Sequence, residues 1–265
     1  MTVGVVVDGG ASLPQDLDHL ALAQVPMGLV PLKTSAPGAA APVSSAPSPG
    51  SFLEAISAAD QGDGAVIVTV ATSLSASYDA ARLAASMSAG EHVVRLVDSA
   101  TAACGEGLVA LAAARAAALG ASIDEVEVRA LRAARAVRLM AVVGDVGRVA
   151  RTGRLPEELW GSTPGSLCLV ELVQGALGLL GELDGAHAAQ DAIASAVAET
   201  CEEPGLLHVG ALFGGDPGVA EDLLQAIAAT AAPSSSFLAP LSPLMVAHAG
   251  SDLYGLAWWW ERPAP

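Results

Sequence analysis

Short aliphatic runs alternate with longer amphipathic runs along the first half of the chain. The short runs predict five strands, at residues 3–7, 25–30, 65–70, 93–97 and 139–143. These runs are continuously apolar, which is typical of strands that are buried on both faces of a parallel sheet. The longer runs predict helices at residues 52–59, 75–87, 107–119 and 123–137. This alternation predicts an α/β fold whose mostly parallel sheet is flanked by helices.

The pattern changes at residues 144–154, where three glycines interrupt a basic segment. A boundary at this point divides the chain into an N-terminal α/β domain, 1–150, and a smaller C-terminal α/β domain, 151–265. The second half contains apolar runs at residues 167–173 and 177–183, and its pattern predicts strands at 206–213, 237–238, 244–248 and 254–260. Helices are predicted near 186–201 and at 219–231.

The net charge of the chain argues against some classes of binding partner. Lys and Arg number 12 against 28 Asp and Glu, so the formal net charge is −16. Nucleic-acid binding needs clustered cations that release counterions from phosphates, and this composition therefore argues against a nucleic-acid partner. It also disfavours binding to an anionic membrane surface.

Seven of the arginines nevertheless fall within residues 129–154. A solvated face of the predicted helix explains Arg129 and Arg132. The alternative is a basic docking patch for an acidic partner, for which Arg129, Arg132 and Arg154 are the candidates. The sequence leaves both interpretations open.

The cysteines and the N-terminal sequence indicate the cellular compartment of the protein. Cys104, Cys168 and Cys201 are widely spaced, and neither a Cys-x-x-Cys pair nor Cys/His ligand spacing occurs. A disulfide scaffold and a metal site are therefore not expected. The N-terminus lacks the basic and apolar regions of a secretory signal, and no run of about 18 uncharged apolar residues occurs. We expect a cytoplasmic protein that is not an integral membrane protein.

Two clusters of small hydroxyl residues, at 44–50 (SSAPSPG) and 71–78 (ATSLSASY), each precede a helix-like run. Hydroxyls and free backbone N–H groups at a helix start form an anion site. Because the chain has almost no lysine, the two clusters indicate an anionic head group held by neutral donors. This arrangement favours binding over catalysis.

The first cluster contains more hydroxyls than a helix start needs. Ser48 fits an N-cap and Pro49 fits the first helical position. Capping does not require Ser44 and Ser45, which makes them candidates for ligand contact.

The second cluster follows the third predicted strand, and ligands of open α/β sheets bind at the carboxyl ends of strands. Ser73 or Ser75 is expected to cap the next helix, which leaves Thr72 and Ser77 free to face a ligand. Ala76 is expected to present a backbone N–H in the first turn.

A third candidate is His248, which is predicted to end a short apolar strand just before Gly250. A single histidine in this position is either a structural residue or part of a binding site. The sequence by itself leaves both roles open.

Together these elements resemble, nearly end to end, the DegV family of bacterial fatty-acid-binding proteins, which includes the lipid-binding subunit of bacterial fatty acid kinase. The boxes that carry the resemblance are residues 8–14 (DGGASLP), 44–50, 71–78, 97–107 (VDSATAACGEG), 152–155 (TGRL) and 248–252 (HAGSD). Their order and spacing match the family, although each box is degenerate.

The resemblance implies a two-domain DegV-like fold with a long acyl chain in a buried tunnel and no cofactor. Ser44 and Ser75 would be head-group hydroxyls, Ala76 a backbone donor, and His248 would complete the network. The full set of implied carboxylate-binding residues is Ser44, Ser45, Thr72, Ser75, Ala76, Ser77 and His248. The protein would be a non-catalytic subunit that presents the carboxylate to a separate kinase, and the resulting acyl phosphate would feed phospholipid synthesis.

Two other functions stay open at this point. A serine hydrolase or acyltransferase would use Ser44 or Ser75 as the nucleophile and His248 as the base. Asp8 or Asp98 would then orient the imidazole, although the chain lacks a G-x-S-x-G elbow.

A divergent scaffold or regulator would have kept the fold and lost the lipid. Asp252, in the histidine box, motivates this alternative. A carboxylate that pointed at the head group would oppose the binding of an anion.

Overall fold

The computed structural model describes residues 2–17, 20–30, 43–144, 149, 166–201 and 205–262, which contain twelve strands and seven helices. The strands are β1 (Gly4–Asp8), β2 (Leu22–Val25), β3 (Gly28–Val30), β4 (Val43–Ser45), β5 (Ala65–Thr69), β6 (Val94–Asp98), β7 (Arg138–Val143), β8 (Leu167–Val173), β9 (Ala176–Leu183), β10 (Leu206–Phe213), β11 (Ser235–Pro240) and β12 (Tyr254–Glu261). The helices are α1 (Pro49–Ala59), α2 (Ser77–Met87), α3 (Ala103–Ala118), α4 (Ile123–Ala136), α5 (Ala186–Glu199), α6 (Gly218–Ala231) and α7 (Pro243–Ala249).

The first sheet is parallel and has the order β2-β1-β5-β6. Successive residues of its buried strands face opposite sides. Val6 and Ile67 face α1 and α2, where they pack with Phe52 and Ile56. The residues between them, such as Val66, belong to the core that contains α3 and α4. Burial on both faces explains why these strands are continuously apolar.

The second sheet has six strands in the order β11-β10-β12-β7-β8-β9. The β10–β11 pair is parallel, and the other four pairs are antiparallel. Its outer face packs against α5 and α6, where Ile193 and Leu223 are completely buried. A small separate ribbon pairs β3 with β4.

Helix α3 lies between the two sheets and contacts strands of both, including β1, β5, β10 and β12. It is rich in alanine and is buried on nearly every side. A helix that is apolar all round belongs in a protein interior. The small side chains let both sheets approach α3, so the first sheet, the α3–α4 layer and the second sheet share one apolar core.

Three predicted elements differ from the observed ones. The run at 139–143 forms β7, which lies in the second, largely antiparallel sheet. A continuously apolar run shows burial on both faces and does not distinguish parallel from antiparallel pairing. The run at 25–30 is divided into β2 and β3 around Pro26, which has no backbone N–H to donate.

The prediction of a strand at 244–248 is wrong, because these residues lie in α7. Ser242 is the N-cap and accepts a hydrogen bond from the Met245 N–H, while Pro243 stands at the helix start. Gly250 follows the last turn with a φ of 96°, which favours glycine. A serine-proline start and a glycine stop are a helix signature in the sequence.

The remaining predicted elements are confirmed to within a few residues. The predicted cap of α1 is confirmed, since the Ser48 hydroxyl accepts a hydrogen bond from the Ser51 N–H and Pro49 is the first helical residue. The predicted domain boundary falls on residues outside the described ranges. In the described part of the chain, no helix has the length and apolar character needed to cross a bilayer.

Candidate functional site

An apolar cavity lies where the loops of the first sheet meet the inner face of the second sheet. The volume of this cavity is about 140 Å³. The second sheet contributes alternate residues of β7, namely Leu139, Ala141 and Val143. The intervening Met140 and Val142 point to the opposite core. The two-residue period of the strand therefore makes β7 a wall of the cavity.

Other walls come from elements far apart in the chain. Gly10 and Leu74 follow the carboxyl ends of β1 and β5 in the first sheet, and Leu244 and Met245 come from α7. Among the described side chains that line the cavity, those of Ser75 and His248 are polar and the others are apolar.

Ser75 lies on the loop between β5 and α2, and a hairpin of the second sheet holds this loop in place. The Ser73 hydroxyl donates to the Gly175 carbonyl at 2.6 Å. The Gly175 N–H donates to the Ala100 carbonyl at the same distance. Gly175 has a φ of 76° and forms the tight turn between β8 and β9. This contact between the two sheets fixes the loop that presents Ser75 to the cavity.

The expectation that Ser73 or Ser75 caps α2 is not met, because the N-cap is Ala76 and no side chain caps the helix there. Ser75 instead accepts a hydrogen bond from the Ser77 N–H at 3.2 Å. Ala76 does have its expected place at the helix start.

Thr72 and Ser77 were expected to be free for a ligand, and the structure corrects this expectation. The Thr72 hydroxyl donates to Asp98 Oδ2 at 2.7 Å. Ser77 is completely buried, and its hydroxyl lies 2.9 Å from the Ser75 hydroxyl and also bonds the Asp8 carboxyl. Ser77 is therefore connected to the cavity through Ser75.

His248 lies in the last turn of α7, and its imidazole lines the cavity. The helix, rather than the predicted strand, brings it there. Ser45 lies in β4, opposite Gly28 in the ribbon, with Ser44 next to it. The structure describes the backbone of Ser44 but not its side chain, so its predicted role stays a prediction.

Two buried carboxyls lie behind the cavity wall, and the sequence did not predict their pairing. Asp8, at the end of β1, and Glu106, in the first turn of α3, are both fully buried. Asp8 accepts hydrogen bonds from the Gly10 N–H at 2.7 Å and the Val70 N–H at 3.1 Å. Burial raises the pKa of Asp8 in spite of these bonds. Burial, followed by the charge of Asp8, raises the pKa of Glu106 well above its ordinary value.

These contacts bear on the hydrolase alternative. Asp8 bonds backbone N–H groups and Ser77, and Asp98 accepts bonds from Thr72 and from the Ala100 N–H. Both carboxylates therefore have other partners than the imidazole that they would orient in a catalytic triad.

The predicted docking residues lie apart from the cavity. Arg129 forms an ion pair with Glu261 at the end of β12. Arg132 is exposed and lines a groove that α3, α4 and Trp259 form. Arg154 lies outside the described residues. Across the described ranges, no group of three or more His, Cys, Asp or Glu side chains could hold a metal ion.

The family is decided by comparison with known sequences. The family model described as "Uncharacterised protein, DegV family" matches residues 32–261, which is most of the chain. The chain belongs to the DegV family. A DegV domain-containing protein of Mycobacterium bovis is 29% identical over 276 residues, which cover 97% of this chain and 96% of the relative.

Solved structures of DegV proteins have the same fold. One is the structure of a DegV family protein from Thermus thermophilus, which is described as binding fatty acid. Its TM-score is 0.87 and its identity 24%, and the match covers 98% of this chain and 100% of the Thermus chain. The fatty acid kinase B3 protein of Streptococcus pneumoniae, loaded with linoleic acid, has a TM-score of 0.85 and 19% identity, covering 99% and 100%. The α/β architecture described above is thus the DegV fold.

Proposed function

We propose that this protein binds a long-chain fatty acid in the cavity between its two sheets and is not itself an enzyme. The head group would lie at Ser75 and His248, and the acyl chain would extend along the apolar walls. In this proposal the protein presents the carboxylate to a separate kinase, which forms the acyl phosphate.

One observation carries the proposal. The described lining of this cavity is apolar except for one hydroxyl and one imidazole, and both stand at positions that the family boxes predict. A carboxylate in a partly dry site needs hydrogen-bond donors to offset its desolvation. Ser75 and a protonated His248 would supply them, and the remaining lining would receive only hydrocarbon.

The apolar chain would supply most of the affinity, at about 0.8 kcal/mol for each buried CH₂. Sites for ligands of this size commonly measure about 300–1,000 Å³, more than the cavity of about 140 Å³. Side chains must therefore move when a long chain enters. Met27 and Met245 line the cavity, and their unbranched thioethers repack easily.

Two relatives support the choice of ligand. The Thermus thermophilus and Streptococcus pneumoniae proteins share the fold. The first is described as binding fatty acid, and the second is loaded with linoleic acid. The second is a fatty acid kinase protein, which supports the proposed transfer to a kinase. For docking of that kinase we keep the arginines of α4 as candidates, with Arg132 foremost because it is exposed.

The position of Asp252 favours a lipid carrier over a scaffold that has lost its ligand. This carboxylate is exposed, lies beside Gly144 and is not among the described residues that line the cavity. It therefore does not place a negative charge at the proposed head-group position.

The first experiment is to extract the freshly purified protein with organic solvent and to identify any lipid by mass spectrometry. We expect a fatty acid at a ratio near one per chain. A protein that is empty and also fails to bind added palmitate or oleate would overturn the proposal and support the scaffold.

The head-group site is tested by Ser75→Ala and His248→Ala in a fatty-acid binding titration. Each change removes one charge-assisted hydrogen bond, so we expect an affinity about ten to a hundred times weaker with little change in melting temperature. Ser86→Ala is the matched control, because Ser86 is exposed within α2 and is not among the described residues that line the cavity. Unchanged affinity in both site variants would reject these residues as the head-group site.

A further inference from the structure

The buried carboxyl pair touches the cavity wall at Gly10. A Cβ atom on Gly10 would lie 2.8 Å from Asp8 Oδ1 and 3.1 Å from Glu106 Oε2. Gly10 itself lines the cavity. Because Gly10 has no side chain, its backbone separates the two carboxyls from the proposed ligand.

Counting donors shows that the pair holds a proton. Asp8 receives hydrogen bonds from two backbone N–H groups and from Ser77. Glu106 is bonded to Asp8, and its oxygens receive no hydrogen bond from any donor in the described part of the chain. Two carboxylates cannot bond each other without a proton between them. The proton therefore belongs on Glu106, which donates to an ionised Asp8.

Among the described residues, no basic group offsets the pair. The charged groups that act on Glu106 are Asp8 from β1 and Asp98 from the end of β6, and both are acids. Those that bond Asp8 are Glu106 from α3 and the Ser77 hydroxyl from α2. A further negative charge nearby would therefore favour the uptake of a proton by the pair.

A chain of hydroxyls connects the pair to the head-group position. Ser77 bonds Asp8, and the Ser77 and Ser75 hydroxyl oxygens are 2.9 Å apart. While Asp8 is ionised, Ser77 donates to Asp8, and the Ser75 hydrogen is drawn towards Ser77. If Asp8 takes up a proton, it can donate to Ser77, which then donates to Ser75. The Ser75 hydrogen is thereby released for an anion in the cavity.

We propose that Asp8, Glu106 and Ser77 are positioning residues that couple binding of an anionic head group at Ser75 to uptake of a proton by the carboxyl pair. This inference rests on the proposed fatty-acid site. The incoming proton comes from solvent and binds Asp8, the hydroxyl hydrogen bonds of Ser77 and Ser75 reverse direction, and no covalent bond to the ligand forms. Affinity for an anionic ligand then rises as the pH falls towards the range in which the pair titrates.

The test is titration calorimetry with a long-chain alkyl sulfonate, which stays ionised and so takes up no proton itself. At one pH, the binding enthalpy is measured in buffers of different ionisation enthalpy, and the slope gives the protons taken up. We expect net uptake with the sulfonate and none with the alcohol of the same chain length. The uptake should change with pH above the ordinary aspartate pKa of about 3.9, because burial raises the pKa of Asp8.

Variants separate the pair from His248, whose imidazole could also take up a proton. In Asp8→Asn the amide can donate to Ser77 without any titration, so the uptake assigned to the pair should disappear. Because this variant loses the acceptor for the Val70 N–H, Ser77→Ala provides a second test that keeps both carboxyls, and its uptake should fall to less than half. His248→Gln should keep the uptake by the pair, and Ser86→Ala, at an exposed position within α2, should behave like the unmodified protein.

Three results would overturn the inference. The first is sulfonate binding without proton uptake, and the second is full uptake in both Asp8→Asn and Ser77→Ala. The third is complete loss of uptake in His248→Gln. Each of these leaves the fatty-acid proposal standing, whereas failure to bind any long-chain ligand would overturn both.

Discussion

Burial and the charges of Asp8 and Asp98 raise the pKa of Glu106 in the folded protein well above its ordinary value. In the unfolded chain a glutamate titrates near its ordinary value of about 4.3. Above that value the unfolded chain releases the proton while the folded protein keeps it. The contribution of Glu106 to stability is therefore complete at low pH and is lost as the pH rises towards its folded pKa.

Glu106→Gln removes the loss of stability at rising pH, because the amide does not titrate. The variant keeps the size of the side chain and a hydrogen-bond donor for Asp8. We expect the free energy of unfolding of the variant, minus that of the unmodified protein, to rise as the pH increases from about 4.3 towards the raised folded pKa of Glu106, by at most about 1.4 kcal/mol per pH unit. Urea unfolding at several pH values measures this difference.

Glu125→Gln is the control for this profile, because hydrogen bonds from Ser122 lower the pKa of Glu125. A group with a lowered pKa loses its stabilising effect as the pH falls, so its profile has the opposite sign. A constant difference between Glu106→Gln and the unmodified protein at all pH values would show that Glu106 is ionised in the fold.

For single residues, the sequence predicted the polar side chains near the site better than it predicted the direction in which each side chain points. Ser75 and His248 both reach the cavity. Thr72 and Ser77 instead bond Asp98 and Asp8, which other strands of the sheet supply. A pattern along one segment contains no information about such partners, because they come into contact only when the strands pair.

Among the elements, α4 has the most complete local signal. Ser122 accepts a hydrogen bond from the Glu125 N–H, and the Glu125 carboxylate accepts one from the Ser122 N–H, which is a capping box. Arg135 in the last turn complements the negative end of the helix dipole. The observed helix begins at the predicted residue, Ile123, because its start is encoded locally.

Ser122→Ala should lower the free energy of unfolding by about 1 kcal/mol, since it removes the N-cap. Chemical denaturation measures this loss, and the slope against denaturant should not change. Ser86→Ala is the control, because Ser86 is exposed within α2 and does not cap a helix. Equal stability of the two variants would mean that the cap contributes nothing in the intact protein.

The elements that the sequence misassigned are those whose partners are distant. The apolar run of β7 was predicted correctly as a strand, but its place between β12 and β8 depends on residues far along the chain. The run that forms α7 is too short for its periodicity to separate helix from strand. Its serine-proline start was the decisive signal, and it is the same signal that correctly predicted α1.

At the scale of the whole molecule, the proposed kinase would meet a strongly acidic protein with a local cluster of arginines on α4. Arg132→Glu should reduce kinase-dependent acyl phosphate formation several-fold and leave fatty-acid binding unchanged. Arg132 suits this test better than Arg129, whose ion pair with Glu261 links α4 to β12.

Arg82→Glu on α2 is the matched control, because Arg82 is exposed and pairs only within its own helix. A turnover assay with a partner kinase compares the two variants. Equal turnover in both would reject the arginine face of α4 as the docking surface, without affecting the lipid proposal.

The class of fold could be predicted from the alternation of elements and from the family boxes, whereas the division into two α/β domains stays a prediction. The sandwiching of α3 between the two sheets could not be predicted, because an alanine-rich helix buried on all sides has no polar face to mark its orientation. The acyl-chain tunnel that the resemblance implies stays a prediction, and the walls of the observed cavity depend on how the second sheet packs over the first.

The place of β7 has a consequence for any attempt to divide the chain. β7 precedes the predicted boundary in sequence, yet it is a central strand of the second sheet, between β12 and β8. A fragment of residues 151–265 would lack this strand and expose two unpaired edges, and a fragment of 1–150 would carry it without partners. Exposed strand edges promote aggregation. The two predicted domains would therefore share the second sheet, and we expect neither to fold when it is expressed without the other.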